Sequence, residues 1–401
     1  VRILFALPRF PLPADKGDKL RAWNQIVGLA KQHKVYVYAQ TDEPIEAEQL
    51  NILKSVVEDV CIVRISKPLA LIRLARAFFG KTPFQVAYFS AKKSIRRFAE
   101  YSQEVQPDLV WCQLTRMALH VEGIDYHKRL LDYQDAFSKG LERRIASESF
   151  LKRMLVRMEF KRMQAFERQV FEKFAIKYII SEQDAAYIQH PRRSELKILP
   201  NGVDIERYKP EPSARSIDLL FTGNMRYEPN VNCVQYLVRE VLPLLNDEFP
   251  HLQLVAAGKN PASELYKLKS AQLKLTGWIP DLRKYYSRAR LFVAPMQIGI
   301  GMQNKILEAM AMGLPVITSS LANNAIGGVH GKDIWVADSP EKVAEGISYL
   351  LTNTDLAIRI GQNARDLMVE KFSWQHQNQL LMKDLFEYQH RIISTVTNTK
   401  A

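Results

Sequence analysis

Twelve short runs of β-branched, leucine-rich and aromatic residues, most of them separated by helical patterns, constrain this 401-residue chain more than any other feature. The first six are Ile3–Leu7, Val35–Ala39, Val60–Ile65, Leu109–Cys112, Arg129–Asp132 and Lys177–Ile180. After Pro200-Asn201-Gly202 come Asp218–Thr222, Leu252–Ala257, Leu273–Thr276, Leu291–Val293, Val316–Thr318 and Ile334–Val336. Short strands alternating with helices predict parallel sheets wrapped by helices. The chain is long enough for two such domains, each with its own core. The expected fold class is therefore α/β, two Rossmann-like domains facing a central ligand cleft, with divisions at 1–195, 196–374 and 375–401. Turn residues place the hinge near Lys197–Tyr208.

The charge is uneven. Residues 1–200 hold 34 Lys+Arg and 23 Asp+Glu, and the rest hold 22 and 20, so the N-terminal half carries +11 of the net +13. No zinc-finger spacing, RNP-like aromatic motif or basic helix-turn-helix pattern accompanies that excess, which argues against nucleic acid. An anionic membrane surface, or an acceptor with a lipid diphosphate, explains it better. Lys67–Lys81 mixes Leu69, Leu71, Ile72, Leu74, Phe78 and Phe79 with Arg73, Arg76 and Lys81, the pattern of a helix lying in a lipid interface or packing on the N-terminal sheet. Leu141–Phe174 reads as one long amphipathic helix facing the core. No apolar run approaches about 18 residues, so no spanning helix is expected. Val1–Leu7 is too short for a secretory signal core, and Cys61, Cys112 and Cys233 read as reduced thiols. A cytoplasmic protein, docked peripherally on the inner face of the membrane, is the expected localisation.

The stretch Gly299–Thr318, GIGMQNKILEAMAMGLPVIT, carries the chemistry. A glycine-broken loop enters a short helix that stops at Gly313, and Pro315 leads into a strand. Free N–H groups at the first turn, joined by Lys305, form a site for a phosphate or diphosphate. Glu308, one turn on, accepts hydrogen bonds from a hydroxyl pair such as a ribose. The same residues also fit an ordinary Rossmann-type helix with a solvated Lys and Glu.

KILEAMAMGLPVI resembles the signature of the family-4 retaining glycosyltransferases, which have the GT-B fold. Further landmarks follow that family's order: Gly17-Asp18, Leu199-Pro200-Asn201-Gly202-Val203-Asp204, Gly223, Gly277-Trp278-Ile279-Pro280-Asp281 and Phe372-Ser373-Trp374. The loop Gly301-Met302-Gln303-Asn304-Lys305, with Asp15-Lys16-Gly17-Asp18-Lys19, looks like the sugar transferases of bacterial exopolysaccharide loci. The resemblance implies retaining transfer from a nucleoside-diphosphate sugar to a lipid-linked or glycan acceptor in polysaccharide biosynthesis. It also implies a final helix, Gln375–Ile393, that crosses back to the first domain. No Asp-x-Asp occurs, so neither a metal nor another cofactor is expected.

On this reading Lys305, solvent-facing at the helix start, and the N–H groups near Gly301, Met302, Gln303 and Asn304 stabilise charge growing on the departing diphosphate. Gly17 and Asp18 lie in a loop whose backbone approaches a diphosphate or acceptor phosphate, or which is a plain strand-to-helix turn. Trp278 and Ile279 meet the nucleobase, and Glu308 holds the ribose. Three departures from the family pattern qualify these roles. The first of the usual pair of glutamates is replaced by Ile300. Asn224 and Asn230 stand where relatives carry Arg and Lys, leaving Arg226 as a substitute charge. A common histidine gives way to Asp132-Tyr133-Gln134-Asp135, where Asp135 or Asp132 takes the acceptor proton or caps a helix. A UDP-sugar epimerase and a catalytically weak nucleotide-sugar-binding partner protein are the rival functions.

Overall fold

The computed structural model describes residues 1–147, 149–268, 270–298 and 302–398, and the chain divides into two units, Val1–Pro200 with Gln377–Ala401 and Asn201–His376. The first unit is a seven-stranded sheet of β1 (Arg2–Leu7), β2 (Lys34–Thr41), β3 (Asp59–Arg64), β4 (Leu109–Gln113), β5 (Arg129–Asp132), β6 (Ile176–Ile179) and β7 (Lys197–Ile198). Its order is β3-β2-β1-β4-β5-β6-β7, and every pairing is parallel. Because strand side chains alternate between faces, β1 feeds two cores. Ile3, Phe5 and Leu7 join Ala22, Ile26 and Leu29 of the helix Gly17–Ala30, whereas Leu4 and Ala6 join Phe98 and Tyr101 of Lys92–Val105 and Met163, Phe166 and Val170 of Phe150–Phe171. Burial on both faces is why these strands read as continuous apolar runs.

The second unit is a six-stranded parallel sheet of β8 (Ile217–Thr222), β9 (Leu254–Ala257), β10 (Leu273–Leu275), β11 (Ala289–Ala294), β12 (Val316–Thr318) and β13 (Trp335–Val336), in the order β10-β9-β8-β11-β12-β13. In each sheet the strand order reverses once, beside β1 and β4 in the first and beside β8 and β11 in the second. Open α/β sheets bind ligands at the carboxyl ends of strands flanking such a reversal.

All twelve predicted strands are present. The two-residue β7 falls where the sequence suggested a hinge, too short to show a period. The long helix expected over Leu141–Phe174 is two, Phe137–Ser147 and Phe150–Phe171, and the second is not core-facing throughout: Phe150, Leu151, Met154 and Leu155 at its start are exposed. The last helix is Trp374–Asn398, and from Gln377 it belongs to the first unit. There Leu381 and Leu385 enter the core beside Ile26 and Leu29, and Asn378 Nδ2 donates to Asn24 O at 3.1 Å. Gly28 is required beneath it, since a Cβ would stand 2.1 Å from Asn378 Nδ2.

Candidate functional site

In the second unit the helix Asn304–Ala311 follows β11 at the reversal. Gly313, at φ +69°, ends it in the left-handed turn that favours glycine. Lys305, in its first turn, is not the solvent-facing residue that the sequence suggested. It is half-buried, its Nζ donates to Asn230 Oδ1, and the ammonium lies 4.6 Å from the centroid of the Phe221 ring. Asn230 Nδ2 in turn donates to Asn224 O at 3.0 Å, tying the ammonium to the turn after β8. Gly223 makes room for this link, because a Cβ there would stand 2.5 Å from Asn230 Nδ2. Burial lowers the Lys305 pKa to about 8. A cation with an amide rather than a carboxylate as its hydrogen-bond partner is short of negative charge.

Glu308 is braced. The Tyr286 hydroxyl donates to its Oε2 at 2.9 Å and is 2.7 Å from Thr222 Oγ1, and the Tyr208 hydroxyl also bonds the carboxylate. Burial pushes the Glu308 pKa up against these hydrogen bonds. Neither tyrosine was marked by sequence, because each meets Glu308 only through the fold. Asn201 Nδ2 donates to Asn304 Oδ1 at 3.1 Å, which anchors the Leu199–Asp204 motif to the helix start. A Cβ at Gly202 would stand 2.7 Å from the Trp374 ring, and Val203 N donates to Phe372 O, so the Phe372-Ser373-Trp374 motif locks onto the same segment.

Of the other expected residues, Met302 is buried, Gln303 immediately precedes the helix, and Gly301, with Ile300, lies outside the described residues. Asn224 is exposed and accepts Arg226 N through its Oδ1 at 3.1 Å. Arg226 is exposed as well, and lines a depression of about 840 Å³ with Glu228, Tyr266 and Ile298. Among the described residues no hydrogen bond joins it to Lys305, whose partner is Asn230. Trp278 is 70% exposed, and with half-buried Ile279 it follows β10.

The first unit places Gly17, Asp18 and Asp135 at the carboxyl edge of its sheet. A Cβ at Gly17 would stand 3.6 Å from Gln134 Nε2. Asp18 pairs with Arg9 at 3.1 Å, and its carbonyl accepts Gln113 Nε2 at 2.7 Å. Asp132 is not available to a substrate. Fully buried, it accepts Arg21 Nε at 2.6 Å and Nη2 at 3.0 Å, Gln25 Nε2 at 3.1 Å and Gln134 N at 3.1 Å. Asp135 is half-buried, and its pKa is pushed up to about 7, first by burial, then by Asp184, with Arg21 opposing and Asp132 and Asp18 adding. Leu114 at φ +62° and Gln134 at φ +60° hold strained left-handed backbone just past β4 and β5, a frequent mark of functional edges. Among the described residues no three His, Cys, Asp or Glu side chains converge as a metal site.

Residues 216–353 match the family model "Glycosyl transferases group 1". The chain is 28% identical over 205 residues to a GDP-mannose-dependent alpha-(1-6)-phosphatidylinositol monomannoside mannosyltransferase of Mycobacterium tuberculosis, covering 45% of this chain and 53% of that protein. The chain thus spans about half the length of the curated relatives it matches. Over nearly its whole length it superposes on sucrose-phosphate synthase from Thermosynechococcus elongatus (TM-score 0.68, 16% identity, 98% of this chain and 99% of that one). It superposes equally on Anabaena Alr3699/HepE in complex with UDP (TM-score 0.68, 14% identity, 96% and 100%). The fold is that of the GT-B glycosyltransferases, and the match to the glycosyltransferase group 1 model lies within the second unit.

Proposed function

We propose that the protein is a retaining glycosyltransferase that moves a sugar from a nucleoside-diphosphate sugar to a lipid-linked acceptor in bacterial polysaccharide biosynthesis. The observation that carries this reading is Lys305: a half-buried ammonium whose hydrogen-bond partner is an amide, with Glu308 acting on it only through space, at a helix start on the reversal of the matched domain. The donor diphosphate supplies the missing charge, accepting from Lys305 and from the N–H groups of the first helical turn. As the sugar–oxygen bond breaks, charge grows on the β-phosphate, and donors already fixed there stabilise it without reorganising. Glu308, held by Tyr286 and Tyr208, takes the ribose hydroxyls, and Trp278–Ile279 meet the base. The UDP complex of the Anabaena protein supports a nucleotide at such a site.

Asp135 on the first unit takes the acceptor proton, a task suited to a carboxyl whose pKa lies near 7. A relative named for a phosphatidylinositol monomannoside supports a lipid-borne acceptor. So does the surface of the helix Lys67–Phe78, where Leu69, Leu71, Ile72, Phe78 and the following Phe79, 89% exposed, lie among Lys67, Arg76 and Lys81. Arg162 donates to Ala77 O and Phe78 O, setting the helix Phe150–Phe171 beside this end. An anionic bilayer satisfies both the apolar side chains and the cations. Among the described residues no helix is long and apolar enough to cross a membrane.

The test is a panel of nucleotide sugars, read first as thermal stabilisation and then as turnover with a lipid diphosphate acceptor. Stabilisation by one donor and transfer from it support the reading. Nucleotide binding with neither transfer nor hydrolysis makes the chain a binding partner, and a new sugar nucleotide formed without acceptor makes it an epimerase.

A further inference from the structure

A pocket of about 680 Å³ opens on the first unit, built from the loop after β1, the end of β2, the turn after β4 and the segment Phe84–Phe89. Its charges are layered. Asp42, Glu43 and Glu46 are exposed, whereas Lys19 is 7% exposed and Arg116 half-buried. Arg116 lies 4.6 Å from the Phe137 ring centroid and 5.7 Å from that of Phe89. Its Nε and Nη2 both donate to Gln85 Oε1, at 3.1 and 2.7 Å, which fixes the plane of the guanidinium and leaves Nη1 without a hydrogen bond among the described residues. Among the described residues Lys19 Nζ reaches only Leu12 O, at 3.5 Å. Neither cation has a carboxylate within ion-pair distance among the described residues, while Arg9 and Lys16 at the same pocket are paired with Asp18 and Glu43. Burial lowers the Arg116 pKa only to about 10, so it keeps its charge at neutral pH.

Asp18 and Asp135 act on Arg116 only through space, and cations withdrawn from water without a carboxylate in contact are costly unless a ligand supplies one. From this arrangement we infer that the pocket is the subsite for a phosphoryl group on the acceptor, with Arg116 and Lys19 as its donors. This rests on the transferase reading, which provides the acceptor. Leu12, Leu74 and Phe84 line the same pocket and suit an apolar carrier next to the phosphate. Leu74 belongs to the helix Lys67–Phe78, so the pocket adjoins the surface proposed to meet lipid.

Calorimetry on the full chain, with UDP or GDP held in excess to fill any diphosphate site on the second unit, tests the inference with two probes. Inorganic pyrophosphate stands for a free anion and farnesyl diphosphate for a lipid-borne one. Both are expected to bind, farnesyl diphosphate more tightly, and Arg116→Met and Lys19→Gln should each weaken both by tenfold or more, while Arg116→Lys recovers part of the loss. Equal affinity for the two probes assigns the site to soluble phosphate carriers and keeps the phosphoryl assignment. Failure of both probes to bind the wild type, or unchanged affinity in a folded Arg116→Met or Lys19→Gln protein, overturns it. Loss of nucleotide binding or of turnover would strike the transferase reading alone, since the pyrophosphate titration needs neither.

Discussion

One strand from the reversal of the first sheet, at the end of β5, the buried charge is a carboxylate gripped by a bidentate arginine from the helix after β1, Asp132 on Arg21; at the reversal of the second it is an ammonium on an amide, Lys305 on Asn230. The topology is the same and the electrostatic state is opposite. Asp132 has its counter-ion and two further donors, so nothing that arrives can improve it, and it serves the fold. Lys305 has shed water and feels Glu308 only through space, that carboxylate being held by Tyr286 and Tyr208, so an arriving diphosphate in direct contact improves it. A buried ion with a complete set of partners is a structural element, and one with an incomplete set is a binding site waiting for charge.

Breaking each pair should therefore fail differently. Arg21→Met leaves Asp132 buried and unpaired, which should cost about 3–5 kcal/mol of stability, measured by urea unfolding. Lys305→Ala should leave folding nearly intact and remove a transition-state donor, costing about 2–4 kcal/mol, or roughly a hundredfold or more in turnover. A folded Lys305→Ala enzyme with normal turnover would end the contrast.

The pH profile sharpens it. Asp135 must be ionised to take a proton and Lys305 charged to hold the diphosphate, so kcat/KM should rise through about 7 and fall beyond about 8. Asp135→Asn should lower the rate about a hundredfold and abolish the acid limb. Its effect on stability has a definite sign. Because the folded pKa of Asp135 is raised, its contribution is fully present below the ordinary aspartate value of 3.8 and is lost as pH rises through about 7. The Tm of Asp135→Asn relative to wild type should thus increase from pH 4 to pH 8, and a constant difference would show that the carboxyl is not desolvated.

Glu308→Gln keeps the shape held by Tyr286 and Tyr208 and removes the charge, so nucleoside-diphosphate affinity should fall by about 1–3 kcal/mol. Calorimetry with the nucleotide alone checks this, and unchanged affinity would reassign Glu308 to bracing the helix.

How far the sequence could be read follows from range. The strands were legible because both faces of each sheet are buried, which leaves apolar runs that local reading detects. Lys305 and Glu308 were legible because one helix start presents both. Their partners were not: Asn230 lies 75 residues from Lys305, Tyr286 lies 22 from Glu308, and Arg21 lies 111 from Asp132. Sequence therefore left Asp132 open beside Asp135 for the same role, and the arginine brought in by the Gly17–Ala30 helix separates them. Arg116 escaped notice for the same reason, since its burial without a carboxylate in direct contact is a property of the folded surroundings. The amphipathic stretch Leu141–Phe174 misled because a period locates an apolar face without saying what covers it.

That uncovered face gives the smallest effect and the last prediction. The side chains Leu69, Leu71, Ile72, Phe78 and Phe79 are joined in exposure by Phe150, Leu151, Met154 and Leu155, with Arg76, Lys81, Lys152 and Arg157 exposed around them. Arg73 is a poor choice for charge reversal, because it donates to Ala87 O and Tyr88 O at 3.2 and 2.7 Å and holds the helix Phe84–Phe89 in place. Arg76→Glu with Lys81→Glu changes exposed charge and leaves that packing alone. Each basic residue near an anionic surface contributes about 1 kcal/mol, screened within a Debye length of about 10 Å at 0.1 M salt. Binding to phosphatidylglycerol-containing vesicles should fall as salt rises and fall further in the double variant, with nucleotide affinity unchanged. Phe79→Ser should weaken the binding that survives at high salt, because that remainder is apolar. Vesicles ignored at low salt would leave the basic excess of the first unit to the acceptor phosphate alone, and would sharpen the contrast with the second unit to one between two anion sites.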